Sequence, residues 1–233
     1  MEARPALLHR WNISPKEAIA VQQRLRQLIR QESGLAAVEV QRVAGIDVSI
    51  KKGIACAAVA VLSYPSLEPL DVVLAEGPVS FPYVPGLLTF REGPIVLEAL
   101  ARLRLEPDVL IFDGQGIAHP RRLGIATHIG VLVDRPSIGC AKSRLWGKHQ
   151  ELGAQKGDYA LLYDGQEVIG AVVRTRTGVK PVYVSVGHRI DLTSAIEYVL
   201  GCCKRFRLPE TTRLAHRLAG GETPASLQLP LQL

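Results

Sequence analysis

The chain has 233 residues, of which 47% are hydrophobic and 5% aromatic, and its formal net charge is +6. It contains no apolar run near the roughly 18 residues that span a bilayer, and residues 1–15 lack the continuous apolar core of a signal peptide. The four cysteines form no CxxC pair, which argues against a thiolate metal site and favours a reducing, cytoplasmic location. The basic charge favours nucleic acid as a partner, and the scarcity of aromatics argues against an aromatic-covered sheet that stacks single-stranded bases.

The first part of the chain predicts one helix and then three strands. Residues 14–17 form a capping box with proline at the first helical position, and apolar residues at helical spacing extend the predicted helix over 15–32. Runs of β-branched and small apolar residues predict strands at 38–50, 53–63 and 70–77. Because the links between them are short, we expect these strands to be antiparallel neighbours.

The second part predicts helices that alternate with strands. The predicted helices are 91–104, 121–134, 192–204 and 210–219, and the predicted strands are 108–114 and 136–141, followed by a hairpin of 167–175 with 181–188. Residues 156–164 are polar and give no clear pattern, and the tail at 220–233 is expected to be loose. Because a strand after a crossover helix usually runs parallel to its neighbour, the expected fold class is α/β. We expect a single domain over 1–233, built on a mixed sheet with three antiparallel strands, then parallel strands, and helices on both faces.

The stretch FPYVPGLLTFREGP at 81–94 is unusual for its two closely spaced prolines. Pro82 and Pro85 bracket Tyr83 and exclude a helix there, while Gly86 follows at once. The tyrosine is compatible with two roles, a buried ring that staples the loop or a ring held outward for a ligand. The residues alone do not decide between them.

Three acidic residues occupy special positions. Asp47 interrupts an apolar strand, Glu92 begins a predicted helix, and Asp113 closes the apolar run VLIFD. Each one alone is more typical of a cap, a turn or a salt bridge. If the strands around Asp47 and Asp113 are neighbours, however, the three carboxylates could meet and hold Mg²⁺ or Mn²⁺, and such an ion could activate a water for attack on phosphorus.

The segment DGQGIAHPRRLGIATH at 113–128 adds groups suited to phosphate chemistry. His119 could place a water or contact a phosphate, and Arg121 and Arg122 could grip phosphate oxygens or simply coat a helix start. His128 is expected to be structural. Lys142 follows an apolar strand, so its ammonium could stabilise a pentacoordinate phosphate, although a solvated surface position is the commoner role of a single lysine.

Together these stretches resemble the endonuclease V family of deoxyinosine-directed repair nucleases. The resemblance rests on VAGIDVS around Asp47, on FPYVPGLLTFREGP, and on the long run from DGQGIAHPRRLG to IGCAKSRL, with further agreement in KPVYVSVGHRIDL and LPETTRLAH. It covers about 40–216. Two departures from the family pattern, Val84 for isoleucine and Cys140 for valine, preserve apolar character.

The resemblance implies a ribonuclease-H-like fold, a Mg²⁺ cofactor for which Mn²⁺ can substitute, and specific site residues. The metal ligands would be Asp47, Asp113 and, directly or through water, Glu92. The full catalytic set would be Asp47, Glu92, Asp113, His119, Lys142 and His216. The substrate-binding residues would be Tyr83, Pro82, Val84, Pro85, Gly86, Leu88, Gly114, Ile125 and Arg121.

The implied activity is cleavage of DNA at deaminated bases. The family hydrolyses the second phosphodiester bond on the 3′ side of deoxyinosine and leaves 3′-hydroxyl and 5′-phosphate ends, with the loop tyrosine inserted where the base has been turned out. We expect a monomer with no membrane partner. The alternatives are a nuclease of the same fold acting mainly on inosine-containing RNA or branched DNA, and a non-catalytic nucleic-acid-binding protein.

Overall fold

The computed structural model describes residues 1–32, 39–223 and 225, and its centre is one mixed β-sheet. The strands are β1 (Arg42–Lys51), β2 (Ile54–Ser63), β3 (Pro69–Pro78), β4 (Val109–Phe112), β5 (Ser137–Ala141), β6 (Lys148–His149), β7 (Tyr159–Asp164), β8 (Glu167–Val173) and β9 (Val182–His188). Their order across the sheet is β3-β2-β1-β4-β5-β9-β8-β7-β6. Strands β1, β2 and β3 are antiparallel, whereas β1, β4 and β5 run parallel to one another. The predicted mixed α/β sheet is therefore confirmed.

Helices cover both faces of this sheet. They are α1 (Pro15–Arg26), α2 (Leu88–Ala101), α3 (Ile125–Val133), α4 (Leu192–Gly201) and α5 (Glu210–Ala219). Side chains alternate between the two faces of a strand, so neighbouring residues of β1 enter different apolar layers. Val43 packs in the layer that contains α4 and α5, whereas Ala44 and Ile46 pack in the layer that contains α2 and α3. Within the described ranges, none of the helices has the length and apolar character needed to cross a membrane.

Most element boundaries agree with the sequence predictions within two residues, and α5 agrees at both ends. Helix α2, however, covers Leu88–Ala101 instead of 91–104, so Glu92 lies inside this helix and not at its start. The first helix ends at Arg26 instead of 32, and α4 ends at Gly201 instead of 204. Helix α3 begins at Ile125, four residues later than predicted, because Arg122 has a left-handed backbone with φ of 59° that a helix cannot include. Residue 38 and most of the predicted loose tail lie outside the described residues.

The treatment of 156–164 as irregular was wrong, because Tyr159–Asp164 forms β7. This strand pairs antiparallel with β8 through a turn in which Gly165 has φ of +62°. An Asp-Gly pair between two strands is a strong hairpin signal, and it was present at Asp164-Gly165. The short strand β6, which pairs with the far edge of β7, was also missed.

Candidate functional site

Two aspartates lie side by side because of the register between β1 and β4. Ile46 pairs with Phe112 in this parallel ladder, and the Asp113 amide donates to the Ile46 carbonyl at 3.0 Å. Asp47 and Asp113 each follow one member of that pair, so their side chains leave the sheet on the same face. The condition on which the metal-site argument from the sequence depended, that these two strands are neighbours, is therefore met.

Helix α5 brings a histidine to the same place. It can lie close to β1 because Gly45 has no side chain, and a Cβ there would fall 2.1 Å from the Thr211 carbonyl carbon. His216 Nδ1 is consequently 2.6 Å from Asp47 Oδ2. One ligand atom each from Asp47, Asp113 and His216 lies within 4.8 Å of the other two, which is a spacing that suits one metal ion.

A lysine completes this group from the next parallel strand. Lys142 directly follows β5, and its Nζ is 2.5 Å from Asp113 Oδ2. The backbone carbonyl of Lys142 accepts a hydrogen bond from Arg207 Nη2 at 2.7 Å, which fixes the chain at this point. The Lys142 side chain is 41% exposed, so its ammonium is accessible to a ligand as well as to Asp113.

Glu92 lies near this group but outside the 4.8 Å set. Burial and then the charge of Asp47 raise the pKa of Glu92 to about 8. Burial and the charge of Asp113 likewise raise the pKa of Asp47. Carboxylates that are buried and repel one another are stabilised by a cation, and oxygen donors are the ligands that Mg²⁺ and Mn²⁺ prefer. The donor set therefore fits a divalent ion of this kind.

Three side chains hold the proline loop (residues 81–86) in place through one backbone carbonyl, that of Gly86. The Gly86 carbonyl accepts hydrogen bonds from Gln22 Nε2 at 2.9 Å, His119 Nε2 at 2.9 Å and Arg121 Nη2 at 2.8 Å. Tyr83 projects from the fastened loop with 73% of its surface exposed. The alternative, in which the Tyr83 ring is buried and staples the loop, is thus incorrect. The buried ring of the loop is that of Phe81, which is only 2% exposed.

His119 and Arg121 contact the loop, and they are not part of the group around Asp47 and Asp113. His119 is 2% exposed, and its Nδ1 accepts from the Arg121 amide at 3.1 Å. Burial, followed by the Arg121 charge, lowers the pKa of His119 to about 4, so the ring stays neutral and donates through Nε2. The adjacent Arg122 is also buried and bonds to Asp164 and Glu167, so it is not free to grip phosphate.

A cavity of about 140 Å³ lies between this loop and the start of α3. Of the predicted substrate-binding residues, six line it: Tyr83, Val84, Pro85, Gly86, Leu88 and Ile125. The predicted residues Pro82, Gly114 and Arg121 are not in its lining, although a Cβ on Gly114 would fall 2.7 Å from Ile125 Cγ2. The cavity is therefore assembled mainly from the loop that the sequence indicated.

Sequence reasoning missed several residues that complete this region. Gln22, on α1, bonds to both Gly86 and Leu123 and is 1% exposed. Gln115 lines the cavity, donates from Nε2 to the Ser143 carbonyl at 2.9 Å, and has no hydrogen-bond partner for its buried Oε1 among the described residues. The signal for Gln115 was its place in the DGQG motif beside Asp113. No sequence signal pointed to Gln22.

Comparisons of sequence and of structure with known proteins identify the same family over most of the chain. A family model described as Endonuclease V matches residues 23–217. An endonuclease V from Nostoc sp. is 54% identical over 213 residues, which cover 91% of this chain and 96% of that relative. The crystal structure of endonuclease V from Streptomyces avermitilis is 42% identical with a TM-score of 0.85, covering 94% of this chain and 96% of that one.

A further similar structure contains nucleic acid. Endonuclease V from Ciona intestinalis was crystallised in complex with a 24-mer DNA containing an inosine followed by a ribo-adenosine. It is 29% identical to this chain with a TM-score of 0.76, and the match covers 88% of this chain and 95% of that one.

Proposed function

Because this chain belongs to the endonuclease V family, we propose that it is a DNA repair endonuclease that recognises deoxyinosine and other deaminated bases. The observation that carries the proposal is the placement of Asp47, Asp113 and His216 within 4.8 Å of one another. The Ciona relative, which holds inosine-containing DNA, supports the choice of substrate.

Asp47 and Asp113 would hold Mg²⁺, with Glu92 contributing directly or through water, and Mn²⁺ could take its place. When bound, the ion supplies activation of a water and neutralisation of charge for an in-line attack on phosphorus. Nδ1 of His216 fixes the orientation of the Asp47 carboxylate by its 2.6 Å contact. The scissile bond in this proposal is the second phosphodiester on the 3′ side of the lesion, and the products are a 3′-hydroxyl and a 5′-phosphate.

Lys142 acts on the phosphate in this mechanism. Its ammonium pairs with Asp113 at 2.5 Å. Since the side chain is partly exposed, the same ammonium can donate to a non-bridging phosphate oxygen on which negative charge increases during the attack. A fixed cation placed where charge develops stabilises the transition state.

Recognition of the lesion falls to the loop and the cavity beside it. Tyr83 inserts at the position that the turned-out base leaves, and the base enters the cavity lined by Gly86, Leu88 and Ile125. Base flipping costs a few kcal/mol and costs least for a weakly paired base such as hypoxanthine. His119 and Arg121 act through the Gly86 carbonyl, because a loop already fixed in place loses little conformational freedom on binding.

RNA that contains inosine is a second candidate substrate. The specific observation that favours it is the ribo-adenosine next to the inosine in the DNA bound by the Ciona relative. A ribonucleotide at that position would lie close to the bond that the proposal assigns to cleavage.

A nicking assay tests the function directly. A labelled duplex with one deoxyinosine is incubated with Mg²⁺, with Mn²⁺, or with no divalent ion, beside an undamaged duplex and a matched inosine-containing RNA duplex. We expect one cut, at the second phosphodiester 3′ to inosine, only with a divalent ion and only in the damaged strand. Equal cutting of the undamaged duplex, or cutting without a divalent ion, would overturn the proposal. Faster cutting of the RNA would favour the second candidate.

A further inference from the structure

A second cavity lies beside the first, along the segment that follows Lys142. Its volume is about 540 Å³, and it lies between residues 144–148 and the β7–β8 turn at 163–165. Leu145 lines both cavities. The two cavities therefore adjoin at the Leu145 side chain, three residues after Lys142 in the chain.

An exposed tryptophan forms part of this second cavity. Trp146 is 41% exposed, although large aromatic side chains are mostly buried in folded proteins. Its Nε1 donates to Asp164 Oδ2 at 2.8 Å, which fixes the orientation of the indole and leaves ring surface open to solvent. Tyr163, 36% exposed, adds a second aromatic ring to the lining. The other tryptophan, Trp11, packs instead against His9, Phe90 and His128.

The charges around the indole favour a polyanion. Arg144 and Lys148 line the cavity, and neither has an ion-pair partner among the residues that the structure describes. Asp164 is the acidic group in the lining, and Arg122 Nη2 contacts it at 2.6 Å and also contacts Glu167 at 2.7 Å. These three side chains together carry one negative charge, which the two positive charges of Arg144 and Lys148 exceed. Exposed aromatic rings interleaved with unpaired cations are the combination that binds unpaired nucleotides, with the base on the ring and the phosphate on the cation.

We propose that this cavity binds an unpaired nucleotide that neighbours the inosine on the same strand, with its base stacked on Trp146 and its phosphate held by Arg144 and Lys148. The inference rests on the proposed function, because that function places the damaged strand on the adjoining loop cavity. It has a consequence of its own: the protein gains affinity for inosine wherever the flanking base is free to unstack. Single-stranded and loop substrates benefit more than fully paired ones.

Binding measurements on three variants test this site. Fluorescence anisotropy without divalent ion gives Kd for a single-stranded inosine oligonucleotide and for its duplex. Base–aromatic stacking is worth about 1–3 kcal/mol, so Trp146→Ala raises the single-strand Kd roughly fivefold or more and the duplex Kd less. Trp146→Phe keeps an aromatic ring and raises the single-strand Kd less than Trp146→Ala. Tyr159→Ala removes an exposed ring on β7 outside the cavity, and we expect both of its Kd values to equal those of the unaltered protein.

Intrinsic fluorescence provides an independent measurement. In Trp11→Phe the only tryptophan is Trp146, and we expect the single-stranded oligonucleotide to quench it with the same Kd that anisotropy reports. Unchanged affinity in Trp146→Ala with an unchanged melting temperature, or binding without quenching, overturns the inference even if the unaltered protein nicks inosine duplexes. Failure of the unaltered protein to nick them instead overturns the proposed function and, with it, this inference.

Discussion

His216 Nδ1 lies 2.6 Å from Asp47 Oδ2 although the two residues are 169 positions apart. The contact joins the last helix, α5, to strand β1 and places an imidazole beside two carboxylates. Burial and the Asp113 charge raise the pKa of Asp47, so without a cation the ionised form of this residue is disfavoured. The group is thus arranged for binding an ion at some cost to the stability of the ion-free protein.

Replacing Asp47 with asparagine should separate activity from stability. Asp47→Asn preserves shape but removes a metal ligand, so we expect nicking of the inosine duplex to fall roughly 10²-fold or more. The melting temperature without divalent ion should stay the same or rise, because a buried charge next to Asp113 is removed. Mg²⁺ should raise the melting temperature of the unaltered protein but not that of the variant. A variant that nicks normally would contradict the assignment of this site.

Gly45→Ala tests whether the close approach of α5 to β1 holds His216 in position. The added methyl would meet Thr211 backbone atoms at 2.1 Å, and backbone cannot move aside as a flexible side chain can. We expect a loss of about 1–3 kcal/mol in urea unfolding and a large loss of nicking. Gly77→Ala is the matched control, since its methyl would meet only the tip of the Ile95 side chain at 3.3 Å. Equal effects of the two changes would argue against the importance of this contact.

The parts of the site that depend on strands could be predicted from sequence. Apolar runs around Asp47 and before Asp113 predicted two strands, and the crossover rule favoured a parallel neighbour for the second without naming which strand that neighbour is. Ile46 and Phe112 do pair, which places the two acids together. The periodic helix α5 was also predicted at both ends. These elements could be predicted because the spacing of apolar residues within each segment is enough to identify a strand or a helix.

The parts of the site that depend on contacts between residues far apart in the sequence could not be predicted in this way. Gln22 and Gly86 are 64 positions apart, and nothing in the helical pattern around Gln22 indicates that its amide bonds to the loop. The late start of α3 depends on the backbone conformation of Arg122, whose side chain pairs with Asp164 and Glu167 on the distant β7–β8 hairpin. Such features follow from tertiary contacts that override local propensity.

Gln22→Leu should loosen the proline loop. The change removes donors to the Gly86 and Leu123 carbonyls and leaves Arg121 Nε without its acceptor. Because the site is buried, we expect unfolding free energy to fall by about 1–3 kcal/mol, with KM for the inosine duplex rising more than kcat falls. Gln23→Leu, one residue along on the exposed side of α1, is the control and should change neither. If the two variants behave alike, the loop does not depend on this anchor.

Tyr83 allows a test of what the exposed ring contributes. If the ring fills the space left by the flipped base, its surface matters and its hydroxyl does not. Tyr83→Phe should therefore keep most of the preference for inosine over undamaged duplex, whereas Tyr83→Ala should reduce it roughly tenfold or more by loss of stacking. The preference is measured as the ratio of kcat/KM for the inosine duplex to kcat/KM for the undamaged duplex. A Tyr83→Phe variant as impaired as Tyr83→Ala would indicate that the hydroxyl is the active group.

Buried His119 should make stability depend on pH in a predictable direction. Its pKa is about 4 in the folded protein against 6.5 for the unperturbed residue, so between these values the unfolded chain binds the proton more strongly. The stability that His119 provides is complete above pH 6.5 and is lost as pH falls toward 4, and by pH 5 the loss is about 2 kcal/mol. His119→Gln keeps a neutral donor for the Gly86 carbonyl and cannot titrate. Urea unfolding at pH 7 and pH 5 should therefore show a loss that is about 2 kcal/mol smaller in the variant, because His128 and His188 are buried in both proteins and their contributions cancel. An equal loss in the two proteins would mean that the ring is protonated in place or that the loop opens to accommodate the charge.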